Sequence, residues 1–171
     1  TIAESETEVL QFEEEKTLVV EVIKLNTNKI PCFVVSNQSG LANGDFNFSE
    51  LLKIISNLDL YLSKDRAYID DFLICPHFTN KKYKNIDFDF FSKYRKPDPG
   101  MIITLAQKYG ISLKKSYMIG DSDRDILAGK LSNLKTILIK SPKIKDYKLN
   151  VKPDFKKNNL YEAVSLILKN K

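Results

Sequence analysis

Apolar and polar positions change period several times along the chain. In "KTLVVEVIKLN" (16–26) apolar residues recur at helical spacing behind Glu13, Glu14 and Glu15, acids that favour the positive end of a helix dipole. "IPCFVVS" (30–36) is short, apolar and rich in β-branched residues, which predicts a strand buried on both faces. A polar loop, "NQSGLANGD", is expected next. Ser49 then caps "ELLKIISNLDLYL", a helix with Leu51, Leu52, Ile54, Ile55, Leu58 and Leu62 on a broad apolar face. "IDDFLIC" (69–75) predicts a second strand, and residues 76–98 are polar, aromatic and non-periodic.

Beyond that loop, Asp98 and Pro99 open a helix through "GMIITLAQKY" that stops at Gly110. "SYMIG" predicts a third strand, "DRDILAGKL" a short helix and "KTILIK" (135–140) a fourth strand. A brief extended piece around Asp154 and Phe155 and an amphipathic helix, "NLYEAVSLILKN", follow. Strands alternating with helices imply an α/β domain with a parallel sheet covered on both faces. With 171 residues and 43% apolar side chains, one domain over 1–171 is expected.

Charge and cysteine content narrow the function classes. The net charge of +5 comes from 24 Lys and only 3 Arg, without a block of like charges, so a solvated face is favoured over a nucleic-acid footprint. Cys32 and Cys75 sit in apolar stretches, which suits free thiols in a reducing cytoplasm. No apolar run is long enough to cross a bilayer and no leader is recognised. The expectation is a cytoplasmic, membrane-free, nucleic-acid-free monomer.

In an open parallel sheet, ligands bind beyond the carboxyl ends of the strands. There the sequence places Ser36, Asn37, Gln38 and Ser39, then Arg95 and Lys96 after the long loop, then Gly120 and Asp121. A hydroxyl beside backbone N–H groups can cradle phosphate, a lysine can neutralise charge in transfer, and a carboxylate can hold Mg²⁺. Asp125, one helical turn after Asp121, could orient that carboxylate or a bound water. Each element alone has a plainer reading: Gly-Asp as a turn with Asp121 or Asp123 as cap, Ser36-Asn37 as a turn, Lys96 as a solvated lysine. Their order at successive strand ends favours phosphoryl chemistry.

"VVSNQSG", "CPH", "RKPDPGM" and "MIGDSDRDILAG", in this order, resemble the histidinol-phosphatase and heptose 1,7-bisphosphate phosphatase branch of the haloacid dehalogenase-like (HAD-like) superfamily, over about residues 10–140. The resemblance implies a three-layer Rossmann-like sheet with helices on both faces. It also implies a Mg²⁺-dependent phosphatase that hydrolyses a phosphorylated sugar through an aspartyl-phosphate. Ser36 and Asn37 match its phosphate-binding motif, Lys96 the lysine on the phosphoryl group, Arg95 a substrate-recognising arginine and Asp121 the Mg²⁺ ligand. "SNQSG" and "RKPDPGM" favour heptose bisphosphate as substrate, with histidinol phosphate as the alternative.

Two departures qualify the resemblance. Cys75 and His77 keep half of a zinc site that many members carry, but Ser92 and Tyr94 stand where the second ligand pair belongs, so no zinc is expected. The Asp-x-Asp pair that opens the family, nucleophile then general acid, has no counterpart before Ser36. The expectation is therefore a shortened chain lacking that first, central strand, and the rival reading is an inactive remnant or phosphate-binding module.

Overall fold

The computed structural model describes residues 17–76, 92–140 and 150–171. Helix α1 is described over 17–27 and leads to β1 (Phe33–Asn37). Pro31 lacks a donor for a ladder, and pairing begins only beyond it, later than the apolar run suggests. The expected polar loop instead contains a short helix, α2 (Ser39–Asn43), closed by Gly44 at φ 78°. Helix α3 (Phe48–Ser63) starts ahead of the predicted Ser49 cap: Asn47 accepts the Glu50 N–H, and Glu50 accepts the Asn47 N–H in return.

Strand β2 (Asp71–Cys75) runs parallel to β1, with Phe33 opposite Asp71 and Asn37 opposite Cys75. Both strands are mostly half-buried rather than covered on both faces. Helix α4 (Gly100–Tyr109) lies against them, with Pro99 rather than Asp98 at its N-cap. A second parallel sheet follows, built from β3 (Tyr117–Gly120), β4 (Lys135–Ile139) and β5 (Phe155–Lys157) in that order, with α5 (Asp123–Leu131) between β3 and β4 and α6 (Leu160–Lys169) after β5. Among the described residues β1 and β3 share no ladder, so the strands fall into two sheets.

The alternation of side chains along β3 and β4 makes three layers. Met118 packs with Ile102 of α4 and Ala128 of α5, while Tyr117 and Ile119 meet Ile137, Ala163 and Ile167 on the opposite side, against α6. Val35 of β1 joins the first cluster, tying the two sheets to one core. Gly129 lets α5 approach closely, since a Cβ there would stand 2.6 Å from the Thr136 side chain and 2.8 Å from Met118. A separate cluster joins α1 and α3 through Val19, Val22, Leu62 and Ala67. The apolar face expected of α3 is only partly used: Leu51 and Leu62 are buried, but Leu52 and Ile54 are exposed.

The short edge strand β5 is held by a side-chain clasp. Thr136 of β4 is fully buried and gives both its N–H (2.8 Å) and its hydroxyl (2.9 Å) to the Asp154 carboxylate, while Asp154 N–H returns to the hydroxyl at 3.0 Å. Lys130 of α5 pairs with the other Asp154 oxygen, and that hydrogen bond, ahead of the bonds from Thr136, lowers the carboxyl pKa to about 2.

Replacing Asp154 by Ala strands the buried Thr136 donor, which should cost about 1–3 kcal/mol in urea unfolding. Because the folded pKa lies below the ordinary 3.8, the carboxylate's contribution is present above about pH 4 and lost as pH falls towards 2. The Asp154→Ala protein should therefore lack that part of the wild-type acid transition, as followed by circular dichroism.

Candidate active site

Two of the residues expected near successive strand ends, Asn37 and Asp125, meet at Lys96. It follows a short 3₁₀ turn at 92–94 and precedes Pro97 through a cis peptide bond. Asn37, the last residue of β1, holds its main chain from both sides: the Asn37 Oδ1 accepts the Lys96 N–H at 2.9 Å and the Asn37 Nδ2 donates to the Lys96 carbonyl at 2.9 Å. The side chain then turns back towards the same strand. Its Nζ donates to the Val35 carbonyl at 2.7 Å and stands 2.6 Å from the Asp125 Oδ1.

This lysine is not the solvated residue that its sequence position alone suggested. Its side chain is 13% exposed and that of Asp125 is 9% exposed. An ammonium and a carboxylate removed from water need each other, and they need their remaining hydrogen-bonding capacity filled. Asp125 meets that need through Oδ2, which accepts from the Ser122 N–H at 3.1 Å and the Ser122 hydroxyl at 2.6 Å. Gly120 makes room, because a Cβ there would sit 2.2 Å from the Asp125 Cβ. Asp125 thus locks Lys96 to the start of α5, and Ser122, not Asp121 or Asp123, is the N-cap residue.

Ser36 lies one residue before Asn37, and its Oγ accepts from the Gln38 Nε2 at 2.9 Å. In that bond the hydroxyl is the acceptor, so its own proton is not spent on Gln38. Ser39 opens α2, Arg95 is half-buried beside Lys96, and Asp121 is exposed directly beyond β3. Sequence order identified these positions but not the Val35 carbonyl, the Ser122 contacts or the two-sided grip of Asn37. A glycine and an aspartate five residues apart at a strand-to-helix turn were the available signal for the close approach of Gly120 and Asp125.

Magnesium takes near-octahedral oxygen coordination and usually keeps several waters. Among the described residues no three His, Cys, Asp or Glu side chains stand close enough to hold a metal, so Asp121 offers at most one part of such a site. His77 lies outside the described residues, and Cys75 is buried and not in a disulfide.

The parallel α/β fold thus has the half-buried Lys96, the Ser36 hydroxyl and the exposed Asp121 near its strand ends, where folds of this kind bind ligands. Residues 93–163 match the HAD-hydrolase-like family model. The chain is 36% identical over 112 residues to the D-glycero-β-D-manno-heptose-1,7-bisphosphate 7-phosphatase of Pasteurella multocida, a match covering 64% of this chain and 59% of that protein. Against the enzyme of the same name from Salmonella typhi it is 30% identical over 137 residues, covering 80% of this chain and 72% of that one. A crystal structure of the D,D-heptose 1,7-bisphosphate phosphatase from B. bronchiseptica, complexed with magnesium and phosphate, shares the fold at a TM-score of 0.75 and 22% identity, over 90% of this chain and 82% of that one. The chain belongs to the HAD-like hydrolases, in their heptose-bisphosphate phosphatase branch. It spans 59, 64 and 66% of the length of three of its relatives.

The Lys96–Asp125 pair should behave as one unit. Lys96→Met leaves the buried Asp125 without its countercharge, and Asp125→Asn leaves the half-buried Lys96 without its own, at a cost of up to about 3–5 kcal/mol in urea unfolding. The double variant should recover at least about 1 kcal/mol of the summed loss. Strict additivity would show that the two charges do not sense each other.

Proposed function

We propose that this chain carries the phosphate-binding portion of a magnesium-dependent phosphatase acting on D-glycero-D-manno-heptose 1,7-bisphosphate. The observation that supports it most is the placement of Lys96: Asn37 of "SNQSG" holds its main chain, and Asp125 of "GDSDRD" pairs with its ammonium. The names of the relatives favour the heptose substrate over histidinol phosphate.

In this reading the Ser36 hydroxyl donates to a phosphate oxygen while Gln38 holds it in orientation. Lys96, fixed by Val35 and Asp125, faces the charge that develops on the phosphoryl oxygens during transfer, where a preorganised cation is most effective. Arg95, next in the chain, recognises the sugar phosphate. Asp121 supplies one oxygen to Mg²⁺, whose chemistry when bound is to neutralise and orient phosphoryl oxygens. Asp125, committed to Lys96 and Ser122, is not assigned as the nucleophile of an aspartyl-phosphate step, and no Asp-x-Asp pair precedes Ser36 in the sequence.

Residues 1–171 alone should therefore release no phosphate from heptose bisphosphate, even with Mg²⁺, and enzymatic turnover by this polypeptide would place the nucleophile within it. A version carrying an added N-terminal strand that ends in Asp-x-Asp should hydrolyse heptose 1,7-bisphosphate faster than histidinol phosphate, measured as phosphate release. In that protein Lys96→Ala should lower kcat by about 10²–10³, after correction for the folded fraction. Asp121→Asn should raise the Mg²⁺ concentration required. Wild-type rates in both variants would overturn the assignment of this crevice.

A further inference from the structure

We propose that Asn37 is a positioning residue for Lys96, rather than the phosphate contact that the motif position suggested. Its amide spends its acceptor and one donor on the N–H and the carbonyl of a single residue. That two-point grip fixes both the place and the orientation of the Lys96 backbone at the end of β1. Alanine can form neither bond, and aspartate can accept from the N–H but cannot donate to the carbonyl.

Two residues earlier on the same strand, the Val35 carbonyl receives the Lys96 ammonium. The lysine is thus tied to β1 at its main chain and at its tip, which removes rotamer freedom that a flexible lysine would otherwise lose on meeting a ligand. Of the three ammonium protons, one goes to Val35 and one to Asp125. The third is left for an anion in the crevice. Ser36, whose hydroxyl keeps its proton, then acts as the direct anion contact, and Asn37 acts through Lys96.

The anion part of this proposal rests on the phosphatase reading, but the grip itself does not, and the experiment separates them. Protein labelled with ¹⁵N-lysine gives the Lys96 ammonium signal, assigned by its loss in Lys96→Arg. Burial and two hydrogen bonds should make its hydrogen exchange slow. In Asn37→Ala that exchange should accelerate at least about tenfold, the equivalent of one lost hydrogen bond, and orthophosphate binding should weaken by a similar factor. Ser36→Ala should weaken orthophosphate binding and leave Lys96 exchange slow. Asn37→Asp, close to isosteric, should fall between wild type and Asn37→Ala, and it decides the matter if the alanine variant does not fold. Lys96 exchange unchanged in the folded Asn37 variants would overturn the positioning role. If wild-type orthophosphate leaves the Lys96 signal unmoved, the phosphate reading of the crevice fails while the grip is still judged by exchange alone.

Discussion

A lysine ammonium removed from water must find partners, and that requirement organises the carboxyl ends of the strands. Lys96 finds the Val35 carbonyl on one side and Asp125 on the other. Asp125 can serve only because Ser122 fills its second oxygen and because Gly120 offers no Cβ to push it away. The backbone that presents the lysine is gripped by Asn37. Three segments remote in sequence thereby depend on one charge. Losing any one of them exposes the desolvation cost of the rest, so the geometry is over-determined in the way a preorganised site needs.

The same device recurs at the far edge of the sheet with the opposite sign. There a carboxylate, Asp154, completes the hydrogen bonding of a buried strand residue, Thr136, and takes its countercharge from Lys130 on α5. A three-residue strand has little ladder of its own, and the clasp supplies fixed contacts in its place. Helix α5 therefore contributes to both ends of the arrangement: Asp125 from its first turn towards the crevice, Lys130 from its last towards β5. Gly129 sets its distance from the sheet between them.

Much of the fold was legible because apolar runs of four to six residues, separated by helical periods, leave few alternatives to a parallel α/β arrangement. The strand ends could be found in the same way, and with them Ser36, Lys96 and Asp121. What was not legible required a partner. Lys96 reads as a solvated lysine until the Asp125 beside it is known, and its bond to Val35 spans 61 positions in sequence. Ser49 looked like a cap, but Asn47 has Glu50 at the spacing that allows a reciprocal pair, and that pair decides the helix start. The apolar count of α3 overstated its buried face, since burial depends on what lies opposite, as the exposed Leu52 and Ile54 show.

Formal charge at the crevice bears on how an anion could enter. Lys96 and Asp125 cancel as a pair, and Arg95 beside Lys96 offsets the exposed Asp121 beyond β3, so these four side chains sum to zero. The +5 net charge of the whole chain does not help, because scattered exposed lysines are screened within about 10 Å at moderate salt. A phosphate brought to this point meets one directed ammonium proton and the Ser36 hydroxyl, good for orientation but poor for net attraction. On the proposed function a divalent cation held by Asp121 would make the local sum positive, which the lysine alone does not. On that function the Lys96–Asp125 pair would give direction to the phosphoryl group, while a bound metal would supply the charge that draws it in.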